Sequence, residues 1–203
     1  DWHDDAIIVV MDPLDGSTNA SRRVPWYATA LAAIDASGQR ASLVANQFTN
    51  TDRWTATTGG GAFHNGTQIR PSSCAQLSHA VVGVSGLPKK HPGWAQFRAL
   101  GAAALDICLV AQGTLDGWVD LSSHGVWDYL ASVHICREAG AVVGEYTLEF
   151  DDTRGAGGTL ATVTTVSGGA FDAANGTFAL TAAGYTTPTP IQAGAIQIGR
   201  AHV

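Results

Sequence analysis

Apolar and polar positions along the chain follow a strand-like period first and a helix-like period later. Ala6 to Met11 (AIIVVM) is a short, continuously apolar, β-branched run closed by an acid, which predicts a strand covered on both faces. WYATALAAID (26–35), ASLVANQFT (41–49) and DRWTATT (52–58) follow, set apart by the turn signals SGQ and TNT, and predict an antiparallel meander. GGGAFHNGTQI (59–69) then offers three consecutive glycines and an Asn-Gly pair, residue types that accept positive φ, so a tight hairpin is expected at a sheet rim. HAVVGVSG (79–86) predicts another buried strand.

Beyond Pro88 the period lengthens. Ala103 to Gln112 has helical spacing and is followed by Gly113 at the position where helices commonly stop. LDGWVDL (115–121) returns to a strand pattern. Trp127 to Ala139 carries apolar residues at 127, 130, 131 and 135 and predicts an amphipathic helix stopped by Gly140, after which AVV opens one more strand. Sheet and helix mixed in this way imply a layered α+β or α/β domain. From about residue 150 the pattern weakens: Gly155 to Pro190 is rich in Gly, Ala and Thr, and no fold is assigned to it. The chain therefore divides into a first αβ part (1–86), a second αβ part (87–150) and an atypical segment (151–203), of which residues 198–203 (IGRAHV) read as adapter-encoded.

Composition narrows the function. The chain has 203 residues, 45% of them hydrophobic, and a net charge of -6, with only 11 Lys and Arg, and these are scattered. Neither nucleic acid nor an anionic membrane is expected as a partner, because bulk-charge binding needs clustered cations. An acidic protein still handles an anionic substrate when metal ions supply positive charge locally. Asp106 interrupts the apolar run LGAAALDICLVA (100–111), so no stretch of about 18 apolar residues is available to span a bilayer. The opening DWHDDAIIVV lacks the basic start of a signal peptide. Cys74, Cys108 and Cys136 are odd in number, widely spaced and set in apolar patterns, which predicts small buried thiols and fits a reducing cytoplasm.

MDPLDGSTNA (11–20) carries the candidate chemistry. A strand that ends on Asp12 and Asp15, with Pro13 fixing the turn between them, aims two carboxylates at one point. Hard oxygen donors so placed suit Mg²⁺, which binds through a few carboxylates and completes its shell with water and phosphate. Gly16, Ser17 and Thr18 open a helix whose first amides are free to bind an anion. Two other readings exist. In one, Asp12 and Asp15 simply cap backbone donors in an Asx-type turn. The other, an EF-hand loop, is weaker, since Pro13 interrupts it and Arg23 stands where a Glu is required.

DPLDGSTN resembles the DP(I/L)DGT motif of the inositol monophosphatase family, and HGVWDYLASVHICREAGAVV resembles that family's second signature, a Trp-Asp pair opening a helix that ends Glu-Ala-Gly. GGGAFHNG and LGAAALDICLVAQGTLDGWVD are similar to its glycine hairpin and to the stretch that shapes its substrate pocket. The resemblance runs over roughly residues 6 to 145 and implies the layered αβαβα sandwich of the sugar phosphatases, here shortened at both ends, with Mg²⁺ as cofactor, a cytoplasmic setting and a homodimer as the common assembly. It also implies roles residue by residue. Asp12 would bridge two metals and the Leu14 carbonyl would help hold the first, while Asp15 and Asp128 would bind the second, with the Trp127 indole buried and the Asp128 carboxylate turned outward. Ser17, matching the family's Thr, would orient the attacking water. The amides of Gly16 and Ser17, with Thr18, would hold phosphate, and Gly101, Ala102, Ala103 and Asp120 would face the substrate. A surface role for Asp120 and helix packing for the two alanines stay open. His124 reads as a loop histidine and Glu138 as a structural carboxylate at a helix end.

The implied substrate is inositol monophosphate or a similar small polyol or sugar phosphate. Related phosphatases for fructose 1,6-bisphosphate, histidinol phosphate and 3′-phosphoadenosine nucleotides remain alternatives, as does a metal-binding but inactive fragment. The chain departs from the family pattern in lacking the Gly-Glu-Glu motif and the earlier Asp expected before Asp1. It departs again in Leu130, in EAGA for EAGG and in the segment after Glu145. Loss of the N-terminal helices would leave sheet surface uncovered.

Overall fold

The computed structural model describes residues 7–89, 91–122, 124–148 and 161–167. Two sheets enclose a pair of helices. The first sheet is an antiparallel meander of β1 (Ile8–Asp15), β2 (Ala28–Asp35), β3 (Gly38–Asn46), β4 (Arg53–Thr57), β5 (Gly61–His64) and β6 (Thr67–Gln68), in that spatial order. The second is mixed, ordered β10 (Val142–Leu148), β11 (Ala161–Ser167), β9 (Gly117–Asp120), β7 (Val81–Ser85) and β8 (Gln96–Arg98). Its β7 runs parallel to β8 and β9, and the β7-to-β9 crossover carries α2 (Ala103–Ala111). β7, which falls in the first part by sequence, thus pairs in the second sheet.

Alternation explains how the first sheet meets the helices. Ala28, Ala30 and Ala32 of β2, Ser42, Val44 and Asn46 of β3, and Trp54 and Ala56 of β4 are buried at every second position. The apolar ones among them join one core with α2 and α3 (Val126–Ala139) and with Trp118 of β9. α2 is buried at every position except Leu109, the signature of a helix covered on both sides, so it forms the middle layer. A smaller cluster of Ala80, Val82, Val84, Trp94 and Val119 lies in the second sheet.

The expected elements are present, with shifted ends. Asn65 and Gly66 turn the β5–β6 hairpin at φ 49° and 79°, and the helices stop at Gly113 and Gly140 as expected. The structure differs from expectation at three places. β1 is an edge strand, and Ile8, Val9 and Met11 are exposed rather than covered, because no described element packs on them. β8 is three residues long and wholly exposed, so no apolar period announces it. Part of the segment assigned no fold forms β11, which inserts between β10 and β9; the rest of residues 151–203 lies outside the described residues, as do residues 1–6. Cys108 and Cys136 are buried free thiols and Cys74 is half-buried.

Candidate active site

The register of β1 against β2 brings the first two acids together. Asp12 pairs with Ala30 and Asp15 with Ala28, so three steps on β1 match two on β2 and one residue bulges out at Pro13–Leu14. In an unbroken strand, residues three apart point to opposite faces. The bulge restores a common face, and Asp12 and Asp15 are only 7% and 6% exposed. Pro13, which has no N–H to give the ladder, is suited to that irregularity, and its carbonyl accepts from Thr29 Oγ1 at 2.9 Å.

Asp128 arrives from the other end of the sequence on the first turn of α3. Its Oδ2 accepts from Gly125 N at 2.7 Å, closing the helix start. One carboxylate oxygen from each of Asp12, Asp15 and Asp128 lies within 4.8 Å of the others. The spatial convergence inferred from two distant motifs is therefore present. Trp127 corrects its expected orientation: the indole is 48% exposed and covers Gly125, while the Asp128 side chain is the one turned into the cluster.

Each acid is also held by backbone. Asp12 Oδ1 accepts from Leu14 N at 2.9 Å, so the Asx turn weighed against a site exists within the site. Asp15 accepts from Ala103 N at 3.2 Å and Ala104 N at 2.7 Å, the first amides of α2, where the helix dipole favours negative charge. Gly16 makes this approach feasible: at φ 78°, an added Cβ would stand 3.0 Å from both Ala102 Cβ and the Trp26 carbonyl. α1 (Ser17–Arg22) begins there, with Ser17 and Thr18 exposed. Its first helical bond is Ala20 N to Gly16 O at 3.0 Å, which leaves the amides before Ala20 outside the helical pattern.

Crowding shows in the proton affinities. Burial, then the neighbouring charges of Asp12 and Asp128, push Asp15 up to about 7 against the pull of the Ala104 and Ala103 amides. Burial also raises Asp128, as does the adjacent Asp12. Asp106 on α2, 1% exposed, is pushed to about 7 by burial even though it accepts from Trp26 Nε1 at 2.7 Å. Asp120 behaves oppositely. Burial would raise it, but the His124 imidazole and the Ser122 and His124 amides outweigh that and carry it to about 2.

Asp120 is buried, which removes the surface reading. Its Oδ1 accepts from Ser122 N and Oγ at 2.8 and 3.0 Å, its Oδ2 accepts from His124 N at 3.0 Å, and His124 Nδ1 makes a charge contact at 3.0 Å. His124 is accordingly a paired loop histidine, raised by that contact against the effect of its burial. Ala102 and Ala103 are buried in the core while Gly101 is exposed beside them. Glu138 accepts from Gly59 and Gly61 amides at 3.1 Å each, which makes it the structural brace of the glycine hairpin. Sequence reasoning missed the supporting partners Asn19, Trp26 and Asp106; the signal for Asp106 was its charge inside an apolar run.

These shifts fix the sign of a pH effect on the metal-free chain. Asp15, Asp106 and Asp128 have raised folded-state affinities, so the fold holds protons that the unfolded chain has already released above about pH 4. Stability is full at the acidic end of that window and is lost as pH climbs toward 7. His124, raised, adds to this loss, and His134, lowered by burial, opposes it. The melting temperature in EDTA is expected to fall from pH 5 to pH 8 and to recover at pH 8 on adding Mg²⁺; a flat or rising profile would contradict the crowded-acid picture.

The sequence model of the inositol monophosphatase family matches residues 1–194. The Nus factor SuhB of Escherichia coli K12 is 33% identical over 153 residues, which is 68% of this chain and 56% of that protein. An inositol-1-monophosphatase of Mesorhizobium japonicum is 32% identical over 151 residues, 67% of this chain and 56% of that protein. The solved structure of an IMPase from Thermotoga maritima superposes with a TM-score of 0.68 at 26% identity, over 84% of this chain and 66% of that one. The chain thus spans 56% of the length of these two curated relatives.

Proposed function

The chain belongs to the inositol monophosphatase family, and on that premise we propose that it is a Mg²⁺-dependent phosphate monoester hydrolase acting on a small polyol or sugar phosphate such as inositol monophosphate. The observation that carries this reading is the meeting of Asp12, Asp15 and Asp128 within 4.8 Å. Three buried or half-buried carboxylates at that range repel one another, and a hard divalent cation is the partner that relieves the repulsion. The donor set fits: these three acids and, by family resemblance, the Leu14 carbonyl would hold the metal. When bound, the metal supplies charge neutralisation for the phosphate and an acidified water.

The chain's own groups define the rest. A phosphate monoester spreads negative charge over its non-bridging oxygens as it is cleaved. The amides of Gly16, Ser17 and Thr18 at the exposed start of α1 would receive that charge, and the Ser17 hydroxyl would orient the attacking water. By family resemblance the exposed Gly101 would face the substrate, with the buried Ala102 and Ala103 behind it. By family resemblance Asp120 would face substrate hydroxyls, its carboxylate being held in place by Ser122 and His124. Among the described residues no helix is long and apolar enough to cross a membrane.

The test is phosphate release with Mg²⁺ from inositol 1-phosphate, fructose 1,6-bisphosphate, histidinol phosphate and 3′-phosphoadenosine 5′-phosphate. Release that EDTA abolishes, fastest with the polyol phosphate, is expected. Preference for another member of the panel reassigns the substrate, and no turnover alongside intact metal binding favours the inactive metal-binding reading.

A further inference from the structure

α1 has no buried residue, so core packing does not fix its place. Yet Asp15, Gly16 and Ser17 at its start must stand at a set distance from α2 and Asp128. Hydrogen bonds supply what packing does not. Asn19 Nδ2 donates to the Trp26 and Leu100 carbonyls at 2.8 Å each, joining α1 to the loop behind it and to the residue before Gly101. Trp26 in turn donates from Nε1 to Asp106 Oδ1 at 2.7 Å, reaching the first turn of α2. The two segments meet closely: an added Cβ on Gly101 would stand 3.1 Å from Asn19 Nδ2, and one on Gly16 would stand 3.2 Å from the Gly101 carbonyl.

We infer that Asn19 and the Trp26–Asp106 pair are positioning residues of the acidic centre, a brace that sets the Asp15 carboxylate and the first turn of α1 against the start of α2. The inference rests on the metal-binding reading of that centre. Among the described residues, the hydrogen bonds of these three side chains go to one another's segments and not to Asp12, Asp15 or Asp128, so each acts through the segment it holds. Asp106 serves as a hydrogen-bond acceptor within the brace, a role that an Asn oxygen also fills.

The experiment is a Mn²⁺ titration of the 203-residue chain followed by the electron spin resonance of free Mn²⁺, with thermal melts of the metal-free variants alongside. Asn19→Ala is expected to weaken Mn²⁺ binding by about 10- to 100-fold, the usual effect of losing an outer-shell support. Its metal-free melting temperature stays near that of the parent, since α1 adds nothing to the core. Trp26→Phe keeps an aromatic ring, smaller than the indole that packs against the core, and removes the donor; it is expected to weaken binding in the same direction, which preserves the comparison if Asn19→Ala does not fold. Asp106→Asn is expected to bind close to the parent, whereas Asp106→Leu weakens. Parent-like binding by Asn19→Ala and Trp26→Phe would overturn the brace alone, and so would a loss in Asp106→Asn equal to that in Asp106→Leu. A parent that binds no Mn²⁺ would overturn the metal-centre reading and the brace with it.

Discussion

Asp12→Asn and Asp128→Asn are each expected to weaken divalent-cation binding by roughly two orders of magnitude or more, since affinity for a hard cation follows the number of charged oxygen ligands, and to abolish phosphate release. Both substitutions preserve local structure. Asp12 Oδ1 accepts from Leu14 N, and Asp128 Oδ2 accepts from Gly125 N. An Asn side-chain oxygen keeps either bond, so what is lost is one charge and one ligand. The same loss relieves repulsion in the metal-free chain, where Asp12 raises both Asp15 and Asp128. The metal-free melting temperature at neutral pH is therefore expected to rise as affinity falls. Opposite signs separate the site from general damage, which lowers both. Isothermal titration with Mg²⁺ or Mn²⁺ and melts in EDTA supply the two numbers, and unchanged affinity in either variant counts against the assignment.

Leu105→Ala is expected to be strongly destabilising. Leu105 is fully buried on α2, the middle layer, within the core shared with the first sheet and α3. Neither neighbouring layer is free to collapse into the space left behind. Losses for such a change run at about 2 to 5 kcal/mol, and the upper part of that range applies where relaxation is blocked. At about 2 to 4 °C per kcal/mol for a chain of this size, the melting temperature drops by roughly 10 °C. The first turn of α2 also holds Asp15 through the Ala103 and Ala104 amides, so metal affinity is expected to suffer as well. A drop of under 2 °C would show that α2 is not enclosed on both sides.

The meander was legible because β2, β3 and β4 each show one face to the helices and one outward, and alternation records that difference directly. β1 misled for the converse reason. A continuous apolar run states that a strand wants covering, not that it is covered, and Ile8, Val9 and Met11 are exposed. β8, with Gln96, Phe97 and Arg98 all exposed, carries no period to read.

In the site, Asp12 and Asp15 were legible through the proline between them. Their sharing of one face depends on the bulge at Pro13–Leu14, which spacing alone does not announce. Asp128 entered through family resemblance, and its neighbour Trp127 was turned the wrong way, since an indole counted as an apolar helix position lies instead over Gly125 in contact with solvent. Asp106 served at first only to rule out a membrane span. A carboxylate buried in the first turn of an enclosed helix needs a donor, and Trp26, 80 positions away, supplies it. Partners that distant in sequence are set by the layering, not by any local pattern.

The proposed function requires Asp12, Asp15 and Asp128 to share a divalent cation. Diffraction from crystals of the chain soaked in Mn²⁺, recorded at the manganese edge, tests this most directly. The expected result is an anomalous peak within coordinating distance of carboxylate oxygens from Asp12, Asp15 and Asp128 together. A manganese site elsewhere on the chain, or none at millimolar metal with the three carboxylates still gathered, would contradict it.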